Sequence, residues 1–243
     1  MNTVVAALRL FAAISLFAVC VSVNGADPLR IIVIGGGGTI GQRIVTEALD
    51  RGHRVTIVAR DPARVTVRHE RLDVQKGDVL DTARITELIG GQDVVVSAVG
   101  SARQANPDIT LYRKAAESLI SALRHLDRPA PRLIVVGGAG SLKNAAGEVL
   151  VERQPPEKRY PESVGQKAAL DYYRTITDVS WTYFSPAALI QPGKRTAAFR
   201  LADEQIVRDE NGQSRISIED YAVATIDEAE TPRHEHRQFT IGY

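Results

Sequence analysis

The sequence has a single cysteine, Cys20, among its 243 residues. It therefore lacks the pair of thiols that a disulfide or a thiolate-bound metal requires. Histidine is also sparse, and of the five histidines only His234 and His236 lie close together in sequence, which is too few ligands for a metal site. We expect a fold that contains neither a disulfide nor a bound metal.

An excess of charge of either sign is also missing. Arg9 is the only charged residue in the first 25, so the rest of the chain carries 29 basic and 29 acidic residues. Proteins that bind nucleic acids or acidic membranes rely on a surplus of lysine and arginine. We therefore expect neither nucleic acid nor an acidic membrane as a partner. The apolar content of 44% is sufficient for one sizeable core.

Long apolar runs are absent except near the N terminus, where residues 10–23 are apolar apart from two serines. A run of this length matches the core of a signal peptide better than a membrane span, which needs roughly 20 residues. Val23 and Gly25 are the small residues expected before a cleavage site. We predict a signal peptide over residues 1–25 and an exported, periplasmic or secreted, mature chain. An uncleaved anchor helix is the alternative, and it would be the only contact with a membrane.

Beyond this segment, short apolar runs alternate with amphipathic stretches. We predict strands at 30–35, 53–60, 73–79, 93–100, 132–138, 181–187 and 237–243, and helices at 39–52, 81–91, 108–127, 163–175 and 217–230. Strands separated by helices imply parallel pairing through right-handed crossovers. The expected fold is α/β, with a doubly wound, mainly parallel sheet in one domain over residues 26–243. The C-terminal third is expected to add substrate-side elements, including a loop at 152–162.

Four consecutive glycines separate the first predicted strand from the first helix. Gly35, Gly38 and Gly41 form the spacing G-x-x-G-x-x-G, which suits a tight turn, close approach of a phosphate and close helix–strand contact. The start of the helix adds unpaired amides and a positive dipole end. Because the next strand ends about 20 residues later, we predict a dinucleotide site rather than a mobile loop. The expected contacts from this turn are Gly35, Gly37, Gly38, Thr39, Ile40 and Gly41.

The end of the second strand distinguishes the two nicotinamide dinucleotides. An acidic residue there would bind the ribose of NAD, but this chain has Arg60, whose guanidinium suits a 2′-phosphate. NADP(H) is therefore favoured over NAD(H), although a solvated surface cation is the alternative interpretation of Arg60. Asp78 is expected either to accept from the adenine amino group or to serve only in a turn. Further expected contacts at strand ends are Val79, Ala98, Val99 and Gly100, with Ser101 closing the fourth strand.

Several segments, in order along residues 30–243, resemble one protein family. They are VIGGGGTIGQRIV, VARDPAR, GDVLD, DVVVSAVG, LIVVGGAGSL, WTYFSPA and SRISIEDYAVATIDE. Together they resemble the NADH-flavin-reductase-like group of atypical short-chain dehydrogenase/reductases, close to biliverdin IXβ/flavin reductase and the NmrA-like proteins. The resemblance implies a Rossmann-type fold, a nicotinamide cofactor and hydride transfer to a flavin or a similar acceptor. One departure is that Gly36 and Gly37 replace the Ala-Thr that is usual in the group.

The catalytic pair of ordinary short-chain dehydrogenases is missing, since none of the seven tyrosines has a lysine four residues later. Hydride transfer to an oxidised flavin demands less, because the protein mainly positions nicotinamide against acceptor. Ser141 is the candidate polar group nearest the nicotinamide, or else a turn residue. Lys167 is a candidate for the cofactor ribose or carboxamide, with a surface lysine as the alternative. Tyr160, Ser185 and Pro186 are candidates for the acceptor pocket, with packing roles as the alternative.

Two functions of different class follow from these residues. The first is an NADPH-dependent reductase of a small flavin-like or quinone-like acceptor, with flavin as a substrate rather than a tightly bound group. The second is an NADP-binding sensor or partner-binding protein without turnover. A third, an epimerase or dehydratase, is disfavoured because no proton-transfer dyad is present. Export conflicts with the cytoplasmic supply of NADP. Either the exported protein uses another ligand, or it remains anchored, or the start codon is assigned too far upstream and the protein is cytoplasmic. The oligomeric state stays open.

Overall fold

A computed structural model describes residues 27–100, 108–126 and 129–243. The predicted signal peptide and Ser101 therefore lie outside the described residues. The strands are β1 (Arg30–Ile34), β2 (Arg54–Ala59), β3 (Leu72–Lys76), β4 (Val94–Ser97), β5 (Arg132–Val136), β6 (Trp181–Ser185), β7 (Leu189–Gln191), β8 (Arg200–Ala202), β9 (Arg215–Ser217) and β10 (Arg237–Gly242). The helices are α1 (Thr39–Asp50), α2 (Thr82–Ile89), α3 (Leu111–Arg124), α4 (Pro161–Tyr173) and α5 (Ile218–Glu230).

Eight of these strands form one sheet in the order β3-β2-β1-β4-β5-β6-β10-β8. Neighbouring strands are parallel except β8, which pairs antiparallel with β10. The chain proceeds from β1 outward to β3 and then returns to place β4 on the other side of β1. A topological switch point therefore lies between β1 and β4, where open α/β sheets bind ligands beyond the carboxyl ends of the strands. The predicted doubly wound, mainly parallel Rossmann-type fold is confirmed.

Both faces of the sheet are covered, which explains why its inner strands β1, β4 and β5 are almost entirely apolar. Ile31 and Val33 of β1 face a core that includes α1 and α5. Ile32 and Ile34 face the opposite core, which includes α2, α3 and α4. This alternation follows from the two-residue period of a strand, and it places one helical layer on each side.

The helix boundaries follow local signals in the sequence. Asp81 caps α2 by accepting a hydrogen bond from the Arg84 amide at 3.0 Å. Ser217 caps α5 in the same way through the Asp220 amide. Shortly after α1, Gly52 takes a φ of +92°, a left-handed conformation that favours glycine. Gly52 therefore marks the end of this helix in the sequence.

The C-terminal third contains elements that the sequence pattern did not predict. Leu189–Gln191 and Arg215–Ser217 form a separate parallel pair, and each strand has only three residues. Such short strands carry little periodic signal and form only because the tertiary fold brings them together. Other parts of this third extend the main fold. β10 pairs with β6 in the main sheet, and α5 packs beside α1. Among the described residues, no helix is both long enough and apolar enough to cross a membrane.

Candidate cofactor-binding site

The turn between β1 and α1 is held by very close backbone approaches. Gly35 has a φ of +83°, and a Cβ at this position would lie 2.5 Å from the Ala98 carbonyl oxygen. A Cβ at Gly41 would lie 2.5 Å from the Gly35 carbonyl oxygen. Both distances are far below van der Waals contact, so only glycine fits at either position. The two glycines therefore let the turn and the start of α1 lie against Ala98, the residue that follows β4. This contact lies at the switch point between β1 and β4.

The same turn leaves several backbone amides available. Gly38 is the N-cap of α1 and offers no side chain, while its own amide donates to the Gly35 carbonyl at 3.0 Å. The amides of Gly37, Ile40 and Gly41 donate to no group within the described residues. Unpaired amides at a helix N-terminus attract an anion, and the helix dipole adds to that attraction. The turn can therefore receive a diphosphate through its backbone.

A groove runs from this turn across the carboxyl ends of β1 to β4. Its empty volume is about 430 Å³, which includes space open to solvent. The predicted contacts that line it are Gly35, Arg60, Asp78, Val79, Val99 and Gly100. Ala98 borders it through its contact with Gly35, whereas Gly37, Gly38, Thr39, Ile40 and Gly41 belong to the adjoining turn and first helical turn. The sequence-predicted cofactor residues thus gather around one groove.

Arg60 directly follows β2 and lines the groove in an exposed position. Its guanidinium forms no hydrogen bond or ion pair within the described part of the chain. The neighbouring Asp61 accepts from the Ala63 amide at 3.2 Å and caps a short helical turn at Pro62–Arg64. Lys76, the last residue of β3 and the partner of Ala59 on β2, is also exposed. Neither Arg60 nor Lys76 forms an ion pair with a carboxylate among the described residues.

Asp78 serves in a turn, which is one of the two roles that the sequence left open, and its contact with adenine stays a prediction. Its Oδ1 accepts a hydrogen bond from the Leu80 amide at 3.0 Å, which closes a turn after β3. Its Oδ2 accepts no hydrogen bond within the described residues, although Asp78 lines the groove. A turn residue of this kind keeps a second carboxylate oxygen for a donor such as an amino group.

Sequence reasoning missed Gln42, which ties the turn to the segment after β2. The Gln42 side-chain amide nitrogen donates to the Gly37 carbonyl at 3.1 Å. Its oxygen accepts from the Thr66 hydroxyl at 2.6 Å and from the Thr66 amide at 3.2 Å. A glutamine in the first turns of a helix carries no motif, so only the folded arrangement reveals this bridge.

Ser185 ends β6, as predicted, whereas Ser141 lies beyond the end of β5, in a short helical turn at Ala139–Ser141, and both serines are buried. Ser141 is 3% exposed, and its hydroxyl donates to the Gly138 carbonyl at 2.9 Å. The side-chain amide of Gln238, on β10, donates to the Ser141 hydroxyl at 2.8 Å and to the Ser185 hydroxyl at 2.9 Å. The two serines thus share a buried hydrogen-bond cluster with Gln238, and contact with an acceptor stays a prediction.

The other predicted acceptor-side residues are spread more widely. Lys167 forms ion pairs with Asp171 at 2.8 Å and Glu152 at 3.2 Å. Partial burial alone would lower the pKa of Lys167, but the hydrogen bonds and charges of the two carboxylates outweigh it and raise the pKa above its usual value. Tyr160 precedes α4 and is 79% exposed, while Pro186 is buried. The structure does not gather these residues into one pocket.

Buried tyrosines do not replace the missing proton donor. Burial raises the pKa of both Tyr183 and Tyr221 above the usual value, so both stay neutral at ordinary pH. Tyr183 donates to the Gln166 carbonyl at 2.9 Å, and Tyr221 donates to the Phe184 carbonyl at 2.7 Å. Within the described ranges, no three metal-binding side chains cluster together.

Known proteins match this arrangement over most of the chain. A family model described as NAD(P)H-binding matches residues 35–229. A solved candidate exported protein from Burkholderia pseudomallei is 38% identical, with a TM-score of 0.77, and the match covers 88% of this chain and 100% of that one. A candidate epimerase from Bacteroides thetaiotaomicron is 36% identical, with a TM-score of 0.79 and coverage of 89% and 98%.

A candidate NADH-flavin reductase from Streptococcus pneumoniae is similar over nearly its whole length as well. It is 31% identical, with a TM-score of 0.75, and the match covers 88% of this chain and 99% of that one. The family match begins at Gly35 and includes both sides of the groove. The chain belongs to the NAD(P)H-binding family, as an atypical short-chain dehydrogenase/reductase with a Rossmann-type fold.

Proposed function

We propose that this chain is an NADPH-dependent reductase of flavin-like or quinone-like acceptors, which enter and leave as substrates. The observation that carries the proposal is the Arg60 guanidinium, which lies exposed at the groove and without a partner among the described residues. A cation at the end of this strand matches the 2′-phosphate of NADPH. The similarity to a candidate NADH-flavin reductase supports the acceptor class.

The residues of this chain act mainly by binding and orienting. The amides of Gly37 and Ile40 would hold the diphosphate, Arg60 would pair with the 2′-phosphate, and Asp78 Oδ2 would accept from the adenine amino group. Bound NADPH supplies the hydride. Because an oxidised flavin ring is already electrophilic, holding the two rings together accounts for most of the catalysis.

The reaction balances with one proton from water. NADPH, a proton and the oxidised flavin give NADP⁺ and the reduced flavin. Water is the proton source in this proposal because the Ser141 hydroxyl is buried and already donates to Gly138. Lys167 is held by two carboxylates and stays protonated. Neither side chain is required to transfer a proton.

The test measures NADPH oxidation by the purified chain from residue 26 onward, with FMN, riboflavin and soluble quinones as acceptors. We expect turnover with at least one acceptor, and a lower KM for NADPH than for NADH. A heat-denatured sample of the same preparation serves as the control for reduction by free NADPH. Rates no faster than this control with every acceptor would remove the reductase proposal.

A non-catalytic NADP-binding protein is the second candidate. It is favoured by one observation, namely that the polar side chains at the ends of β5 and β6 bond to each other inside the protein. This alternative predicts NADP⁺ binding in calorimetry without oxidation of NADPH under any of the acceptor conditions. A protein ligand that binds only the NADP-loaded form would then identify its role.

Export through the N-terminal segment is a further part of the proposal. The support is the predicted signal peptide and the similarity to a candidate exported protein. N-terminal sequencing of the native protein is the measurement. A mature chain that starts at Ala26 supports export, whereas an intact N terminus or a start near Leu29 contradicts cleavage after Gly25.

A further inference from the structure

The end of β5 is crossed by α4 at unusually short range. A Cβ at Gly138 would occupy the space that Gln166 Oε1 fills. A Cβ at Gly140 would lie 2.6 Å from the Ser163 Cβ. Neither glycine has a positive φ, so both are needed for space rather than for backbone conformation. The GGAG sequence after β5 therefore allows two polar side chains of α4 to lie directly on this strand end.

Gln166 and Ser163 are three residues apart and so lie on the same face of α4. Both are half-buried. Neither side chain forms a hydrogen bond within the described residues. The backbone carbonyl of Gln166 accepts a hydrogen bond from the Tyr183 hydroxyl. The polar atoms of the Gln166 side chain are not among the buried polar atoms that lack a partner, so solvent reaches them in the free protein. The side-chain amide of Gln166 is therefore available to bind a ligand.

The strand order indicates which part of the cofactor reaches this place. Arg60 and Asp78, the residues for the adenosine half, follow β2 and β3 on one side of β1. A diphosphate held on the turn after β1 would direct the rest of the cofactor across the switch point toward β4 and β5. The nicotinamide ring would then face the strand end that Gln166 and Ser163 cover.

We propose that the Gln166 side chain binds the carboxamide of the nicotinamide ring and that the Ser163 hydroxyl adds a second hydrogen bond. This inference rests on the proposed cofactor site but not on turnover. A primary carboxamide has one carbonyl acceptor and two N–H donors, and the glutamine amide has the same set in complementary arrangement. The pairing fixes the orientation of the ring and therefore the face from which hydride leaves.

The test compares two ligands in calorimetry, NADP⁺ and 2′-phospho-ADP-ribose, which lacks the nicotinamide. Gln166→Ala is expected to weaken NADP⁺ binding roughly fivefold to thirtyfold, the cost of one or two hydrogen bonds. It should leave the affinity for 2′-phospho-ADP-ribose unchanged. Gln92→Ala is the matched control, because Gln92 is half-buried, has no side-chain hydrogen bond among the described residues and precedes β4 at the opposite sheet edge.

Ser163→Ala should show the same selectivity with a smaller loss, and thermal unfolding of each variant verifies that it folds. An equal loss for both ligands, or no loss for either, would overturn the role of Gln166 while leaving the cofactor site intact. So would a Gln166→Ala variant whose only defect is a higher KM for the acceptor. If the wild-type chain binds neither ligand, the cofactor site itself is wrong, and this inference falls with it.

Discussion

The two halves of the carboxyl edge differ in how their polar groups are used. On the β1–β3 side, Arg60 and Asp78 line the groove and Gly37 lies in the adjoining turn. The Arg60 guanidinium, Asp78 Oδ2 and the Gly37 amide have no partner among the described residues. On the β5–β6 side, Ser141 and Ser185 bond to Gln238 inside the protein. Binding groups must stay available in the free protein, whereas paired and buried groups stabilise the fold. The first half, which keeps its polar groups available, is called the prepared half. The second half, in which the two serines bond to Gln238, is called the paired half.

The largest effect should come from Gly35→Val in the prepared half. The side chain would enter a φ of +83° and lie against the Ala98 carbonyl, so we expect a loss of about 3 kcal/mol in unfolding free energy and no detectable NADP⁺ binding. Urea denaturation and calorimetry measure both. Gly37→Ala is the control, because a Cβ there would meet Ala59 and Val65 at an ordinary 3.7 Å. Retained NADP⁺ binding by Gly35→Val would remove the distinction between the halves.

Arg60→Ala tests the charge on the same side. Losing a charge-assisted pair with the 2′-phosphate costs about 1.5–3 kcal/mol, so the Kd for NADPH should rise roughly tenfold to a hundredfold while the Kd for NADH stays constant. Fluorescence titration with each dinucleotide measures the change. Arg54→Ala at the other end of β2 is the control, since Arg54 is also exposed. An equal rise for both dinucleotides would show that Arg60 does not select the phosphate.

Ser141→Ala tests the paired half and should affect stability more than activity. Removing the hydroxyl leaves the Gln238 amide with one partner fewer in a buried position, at a cost of about 1–3 kcal/mol. Urea denaturation measures the loss, and NADPH oxidation under the same conditions should keep its kcat. A kcat that falls at least tenfold in a fully folded variant would instead make Ser141 a proton relay.

Gln42→Ala should produce the smallest change. It removes the bridge between the Gly37 carbonyl and Thr66 without touching the groove itself. We expect a threefold to tenfold weaker affinity for NADP⁺, equivalent to about 1 kcal/mol, because the turn and the segment after β2 lose their shared orientation. Calorimetry measures it, and Gln42→Glu should weaken binding as well, since its carboxylate cannot donate to the carbonyl. Unchanged affinity in both variants would make the bridge irrelevant to binding.

The prepared half could be predicted from the sequence because its signals are local. Gly35, Gly38 and Gly41 lie within one short segment, and Arg60 is identified by its place at the end of an apolar strand. The hydrogen bonds of the paired half could not be predicted, because Ser141 lies in a turn after β5 while Ser185 and Gln238 lie on two strands that are distant in sequence. The contact of Gln166 with Gly138 also depends on how α4 crosses β5, which no periodicity encodes.

The position of β10 also has a consequence for biosynthesis. Because β10 pairs with β6 on one side and β8 on the other, both strands remain without this neighbour until the ribosome has made residues 237–242. Until then the hydroxyls of Ser141 and Ser185 lack the hydrogen bonds that Gln238 donates to them. A nascent chain therefore cannot complete its main sheet until the strand that joins β6 to β8 has been made.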